Sequence, residues 1–174
     1  METCGIIKTY HKEDCKWYEC KCNETTGIRL KEEYFQNAGK KEGIFKLYYS
    51  NGQIHIEVNY IDNKKEGIYK SYYENGQLYE EVNYINDKKE GIYKSYYGNK
   101  QLWEEVNYIN DLKEGIYYKY HENGQFKEIC NYIDGKRNGE YKSYYENRQI
   151  NIICNYIDGR IKDICKYIDG KKVE

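Results

Sequence analysis

Between Gly43 and Lys162 the chain alternates apolar and polar residues in short runs, and the runs recur. The copy at residues 67–90, GIYKSYYENGQLYEEVNYINDKKE, shows the pattern best. GIYKSYY and QLYEEVNYI are rich in β-branched and aromatic residues, and side chains spaced by two would share one face of a strand. The apolar positions follow no 3.6-residue period, and turn-forming residues arrive about every dozen positions, which predicts strands and no helix. Asn-Gly at 51–52, 75–76 and 123–124 predicts two-residue type I′ hairpin turns. Lys100 and Arg148 replace that glycine in two copies and predict poorer turns. Asn-Asp, Asp-Asn or Asp-Gly pairs mark a second turn, read as a four-residue loop.

The step between copies is 24 residues, opened by Gly43, Gly67, Gly91, Gly115 and Gly139. Hairpin register then places Tyr69, Val82, Tyr93, Val106, Tyr117, Cys130, Tyr141 and Cys154 in one row of a packing face. A neighbouring row alternates the opening glycines with Tyr84, Tyr108 and Tyr132, and the reading is that each missing Cβ leaves room for the opposing ring. The other face carries Lys70, Glu81, Lys94 and Glu105, an opposite-charge ladder on a solvated surface. The expected fold is all-β: an elongated, twisted, single-layer antiparallel β-meander of consecutive 24-residue hairpin repeats. Residues 1–42 read as an irregular N-terminal cap with degenerate copies, 43–162 as five full repeats, and 163–174 as a C-terminal half-repeat that caps the array.

Composition sharpens this. The 174 residues include 24 Tyr, three Phe and no Pro, so apolar surface comes from rings with a polar tip and nothing interrupts strand pairing. With 28 basic and 29 acidic residues the net charge is −1, which gives no footprint for nucleic acid. No apolar run reaches the 18 or so residues of a membrane helix, and the first residues lack a signal-peptide core, so a cytoplasmic location with free thiols is expected.

The strand pattern aromatic-aromatic-x-Asn-Gly-x-aliphatic, followed by Tyr and a second turn, resembles the MORN repeat in its variant form, over 43–162 well and 5–42 weakly. Tyrosine-rich arrays of giant DNA viruses and bacterial antitoxin-like proteins carry similar repeats. The resemblance implies a non-catalytic scaffold for protein–protein contact or self-association, with acidic-lipid association or antitoxin-like inhibition of a protein partner as alternatives. Lysines alternating with glutamates disfavour the membrane alternative. MORN modules also occur fused to lipid kinases, but no kinase motif is present in this chain.

Candidate chemistry is sparse. Cys15, Cys20 and Cys22 with His11 are the one group that could ligate zinc, but the C-x4-C-x-C spacing lacks paired CxxC knuckles and thiols are the plainer expectation. Cys130 and Cys154 stand where other copies have Val, about 9.6 Å apart in the register and beyond disulfide reach. His55 and His121 replace tyrosines of the repeat. No catalytic constellation and no cofactor site emerge. The best binding candidate is an aromatic stripe on the charged face: Tyr72, Tyr79, Tyr96, Trp103 and Tyr120. Its expected partner is an unidentified protein or a second copy, with no nucleic acid.

Overall fold

The computed structural model describes residues 5–10, 30–168 and 171–172. The Cys15/Cys20/Cys22/His11 group lies outside them. The described residues form strands β1 (Gly5–Tyr10), β2 (Leu30–Asn37), β3 (Lys40–Tyr48), β4 (Ile54–Ile61), β5 (Lys64–Lys65), β6 (Gly67–Tyr72), β7 (Leu78–Ile85) and β8 (Lys88–Lys89). They continue as β9 (Gly91–Tyr96), β10 (Leu102–Ile109), β11 (Leu112–Tyr120), β12 (Phe126–Ile133), β13 (Lys136–Arg137), β14 (Gly139–Tyr144), β15 (Ile150–Ile157), β16 (Arg160–Ile168) and β17 (Lys171–Lys172). The fold is all-β and antiparallel, in meander order. The chain divides into two compact units, one of residues up to Leu78 with Tyr84–Asp87, the other of Tyr79–Asn83 with everything from Lys88 on.

Both turns differ from the sequence reading, and they differ by exchange. At Asn75-Gly76 only Gly76 has positive φ, 81°. Its N–H donates to the Tyr73 carbonyl at 2.8 Å and Tyr73 N–H to the Gln77 carbonyl at 2.8 Å, which makes a type I turn followed by a left-handed bulge residue. Asn75 Oδ1 accepts from the Gln77 N–H at 3.0 Å, holding the asparagine at its corner. The second connection is the two-residue type I′ turn, as at Asp62 and Asn63, with φ of 51° and 67°. Tyr60 therefore pairs with Lys65, and Tyr132 with Arg137, rather than with the next opening glycine. Farther along, Ile56 pairs with Ser71, so two extra residues are absorbed at Glu66-Gly67.

That bulge explains the opening glycines. Gly43, Gly67, Gly91, Gly115 and Gly139 all have φ between 73° and 89°, and a Cβ built on any of them meets nothing within 4 Å. Room for a ring is not what they provide; a left-handed backbone is.

The packing face lies where alternation put it. Val58, Val82, Val106, Tyr93, Tyr117, Cys130 and Cys154 are buried, Val58 and Val106 to 1 % exposure. In each unit cations lie over the rings of this face, Lys41 and Lys65 in the first and Lys89, Lys113 and Arg137 in the second, each over two rings or more. Lys113, for example, sits 4.5 Å from the Tyr117 centroid and 5.5 Å from that of Tyr132, while its ammonium donates to Glu104 at 2.8 Å.

Neighbouring copies are zipped along both rows of turns. The Lys65 N–H donates to Asp87 Oδ1 at 2.7 Å, the Asp87 N–H returns to the Lys65 carbonyl at 3.0 Å, and the Asn86 N–H donates to Glu66 at 2.8 Å. At the other row the Tyr49 hydroxyl donates to the Tyr72 carbonyl and the Asn51 amide to the Glu74 carbonyl. His121 Nε2–H donates to the Tyr144 carbonyl at 2.9 Å, so this histidine takes over the tyrosine's bond. The polar residues of the repeat are thus largely spent on repeat-to-repeat bonding.

Candidate interaction surface

The face opposite the buried row is built, in a regular copy, from a charged pair. Lys94 on β9 and Glu105 on β10 face each other in the ladder, with Nζ and carboxylate 3.6 Å apart. Lys46 and Glu57 make the same pair at 3.7 Å in the first unit. The copy on β11 and β12 departs from this. Tyr118 occupies the lysine position and Ile129 the glutamate position, and the two are ladder partners. On the next hairpin Lys142 meets Ile129 on one side and Ile153 on the other, and turns to Glu140 of its own strand.

Rings and branched chains extend the patch. Tyr120 stacks on its ladder partner Phe126 with centroids 5.1 Å apart, and Tyr118 lies 5.7 Å from Phe126. Phe126 is 42 % exposed and Ile116 55 %. Burial among these rings and the charge on Glu105 raise the Tyr120 hydroxyl pKa, so it stays a neutral donor. Together these residues form an apolar strip that no described residue covers completely.

The structure divides the predicted aromatic stripe. Tyr96 and Tyr120 are on this face, with the Tyr96 hydroxyl donating to Glu81 at 3.2 Å. Trp103 is not. The ladder shifts between Leu102 and Glu104, so that Leu102 and not Trp103 pairs with Tyr96. The indole then lies 5.9 Å from Tyr97, 6.5 Å from Tyr79, and under the Lys119 ammonium at 5.8 Å, on the side of the buried row. The reason is the bulge, which turns one residue out of alternation. Tyr72 belongs to the first unit. All five are half-buried.

Five consecutive matches to the model of the MORN repeat variant cover residues 41–62, 65–86, 89–110, 113–134 and 137–158, more than half of the chain. The chain belongs to the MORN repeat variant family. No curated protein matches it. Among solved structures, a GtfA/B complex bound to UDP and GlcNAc aligns at 11 % identity over 66 % of this chain and 22 % of that one, with a TM-score of 0.27. A TarM mutant of S. aureus in complex with fondaparinux, alpha-GlcNAc-glycerol and UDP aligns at 13 % identity over 63 % and 19 %, with a TM-score of 0.28. The chain spans about a fifth of the length of these matched structures.

As a MORN repeat array the chain is regular in its turns, glycines and tyrosines. Its departures are therefore informative. Tyr118, Ile129 and Ile153 stand where Lys94, Glu105 and their equivalents stand in regular copies, and comparing the copies position by position would have singled them out. Among the described residues no three His, Cys, Asp or Glu side chains converge as a metal site, and no helix is long and apolar enough to cross a membrane. Cys130 and Cys154 are free and buried, and burial raises both thiol pKa values.

Proposed function

We propose that this MORN array is a non-catalytic scaffold whose β11–β15 face docks protein, either a partner or another copy. One observation carries the reading: the charged pair of the regular copy gives way to Tyr118, Ile129 and Ile153, flanked by exposed Ile116 and Phe126. A charge ladder keeps a sheet face solvated, and replacing it with rings and branched chains opens a surface that favours burial. The test is the double variant Tyr118→Lys/Ile129→Glu, which writes the Lys94/Glu105 pair into this copy. Chemical cross-linking of the tagged chain in cells should show protein adducts for the wild type and none for the variant, at unchanged melting temperature. Equal cross-linking of both forms, or of neither, defeats the proposal.

A further inference from the structure

We propose that Asn138-Gly139 is a self-modifying site, where the chain's own backbone and water turn Asn138 into a carboxylate residue at the place glutamate holds in the other copies.

The repeat marks that place. Glu42, Glu66, Glu90 and Glu114 each precede an opening glycine and accept from the N–H of the following type I′ turn at 2.8–2.9 Å. Asn138 holds the position in the last copy, half-buried between β13 and β14 and followed by Gly139. Among the described residues the Asn138 carboxamide makes no hydrogen bond, and no side chain accepts from the Asp158 N–H that it would serve. The last copy lacks a negative charge that the other four carry.

The dipeptide found there has its own chemistry. When glycine follows asparagine, no Cβ obstructs the next backbone nitrogen as it attacks the side-chain carbonyl carbon. A bond forms between Gly139 N and Asn138 Cγ, the Cγ–Nδ2 bond breaks, and ammonia leaves with the proton of the Gly139 N–H. Water then opens the five-membered succinimide at either carbonyl. The product is aspartate or isoaspartate, and both leave a carboxylate where the amide was. Water is the one co-reactant, and nothing is oxidised or reduced.

Local structure sets this pair apart from the three other Asn-Gly pairs. Asn51, Asn75 and Asn123 lie in hairpin loops, where Oδ1 accepts from the N–H of Gln53, Gln77 and Gln125 at 2.9–3.0 Å. The Asn51 and Asn123 amides also donate to the Glu74 and Glu146 carbonyls. A Cβ built on Gly76 or Gly124 meets a glutamine Oε1 at 3.0 or 3.1 Å, whereas one on Gly139 meets nothing within 4 Å. The loop asparagines are clamped by their turns. Asn138 is free to swing its carboxamide into open space beside the glycine.

The experiment is peptide mapping by mass spectrometry of the purified full chain, held for increasing times at mildly alkaline pH, native and in urea. Asn, Asp and isoAsp are resolved at all four pairs. In the native chain Asn138 should convert roughly threefold or more faster than Asn51, Asn75 or Asn123, the factor that one net hydrogen bond is worth. In urea the clamps are gone and the four rates should draw together. Asn138→Gln, which would have to close a six-membered ring, should stay unconverted. Asn138→Asp reads the consequence, and should melt at or above the wild-type temperature. A loop asparagine that converts ahead of Asn138 in the native chain, or an Asn138 that converts in urea alone, overturns the site. An unchanged order of rates in urea overturns the role of the clamps. An Asn138→Asp chain that melts below the wild type overturns the place given to the carboxylate.

Discussion

Glycine returns every 24 residues here because of a backbone angle, and single residues follow from that. Gly115 has φ of 79°, and a methyl added to it meets no atom within 4 Å. Gly115→Ala should still cost about 1 kcal/mol, the general penalty of a left-handed L-residue, read as a lower urea midpoint at constant slope. The converse applies at Lys100, which sits at φ 70° where Gly76 and Gly124 serve in other copies. Lys100→Gly should raise stability by roughly 1 kcal/mol in the same assay. Tyrosine sets the alkaline limit. Burial, with Glu81 nearby, pushes Tyr96 up to about 12, and burial with Glu128 does the same for Tyr141. Below the unfolded-state value near 10 both states hold the proton and stability is flat; above it the unfolded chain releases protons that the fold retains. Stability should therefore fall as pH rises from about 10 to 12, followed by denaturant midpoint against pH. A flat profile there would contradict the assigned burial. The positions of these residues were legible in the sequence. The reason for the glycines was not, because periodicity marks a position as fixed without saying which property fixes it.

At the level of the hairpin, the turn residues could be read and the turn types could not. Asn-Gly and Asp-Asn both permit positive φ, so local preference alone does not say which connection takes two residues. The contacts between copies decide it. The type I′ turn presents the Asp87 carboxylate to the Lys65 N–H and its own N–H to the Lys65 carbonyl, 22 residues back along the chain. The longer loop lets Asn51 cap its own turn and still reach the Glu74 carbonyl. One copy lacks a piece of this system. Glu42, Glu66, Glu90 and Glu114 each accept from the N–H of the following type I′ turn at 2.8–2.9 Å, whereas the equivalent residue of the last copy is Asn138. Asn138→Glu should add that charge-assisted bond to the Asp158 N–H and raise the melting temperature, by an amount corresponding to about 1 kcal/mol. No change would mean that the bond contributes nothing net at this exposed turn.

Across the molecule, a repeat array bonds chiefly neighbour to neighbour, so one copy is removable. Deleting residues 113–136 joins Leu112 to Arg137 in an unchanged register. The shortened chain should keep its β far-UV signal and lose some stability, read as a lower urea midpoint. The sequence by itself determined the repeat, the strands and the face that packs, because alternation and turn residues are local properties that survive in any register. Tertiary structure decided what alternation cannot carry through an irregularity. The bulge at Leu102–Glu104 turns Trp103 away from Tyr96 and divides the aromatic stripe. The ladder brings Tyr118, Ile129, Lys142 and Ile153 into one row, although they are 11 to 13 residues apart in sequence. A bulge changes which side chains share a face, and its place is set by hydrogen bonds between strands, which only the folded sheet contains.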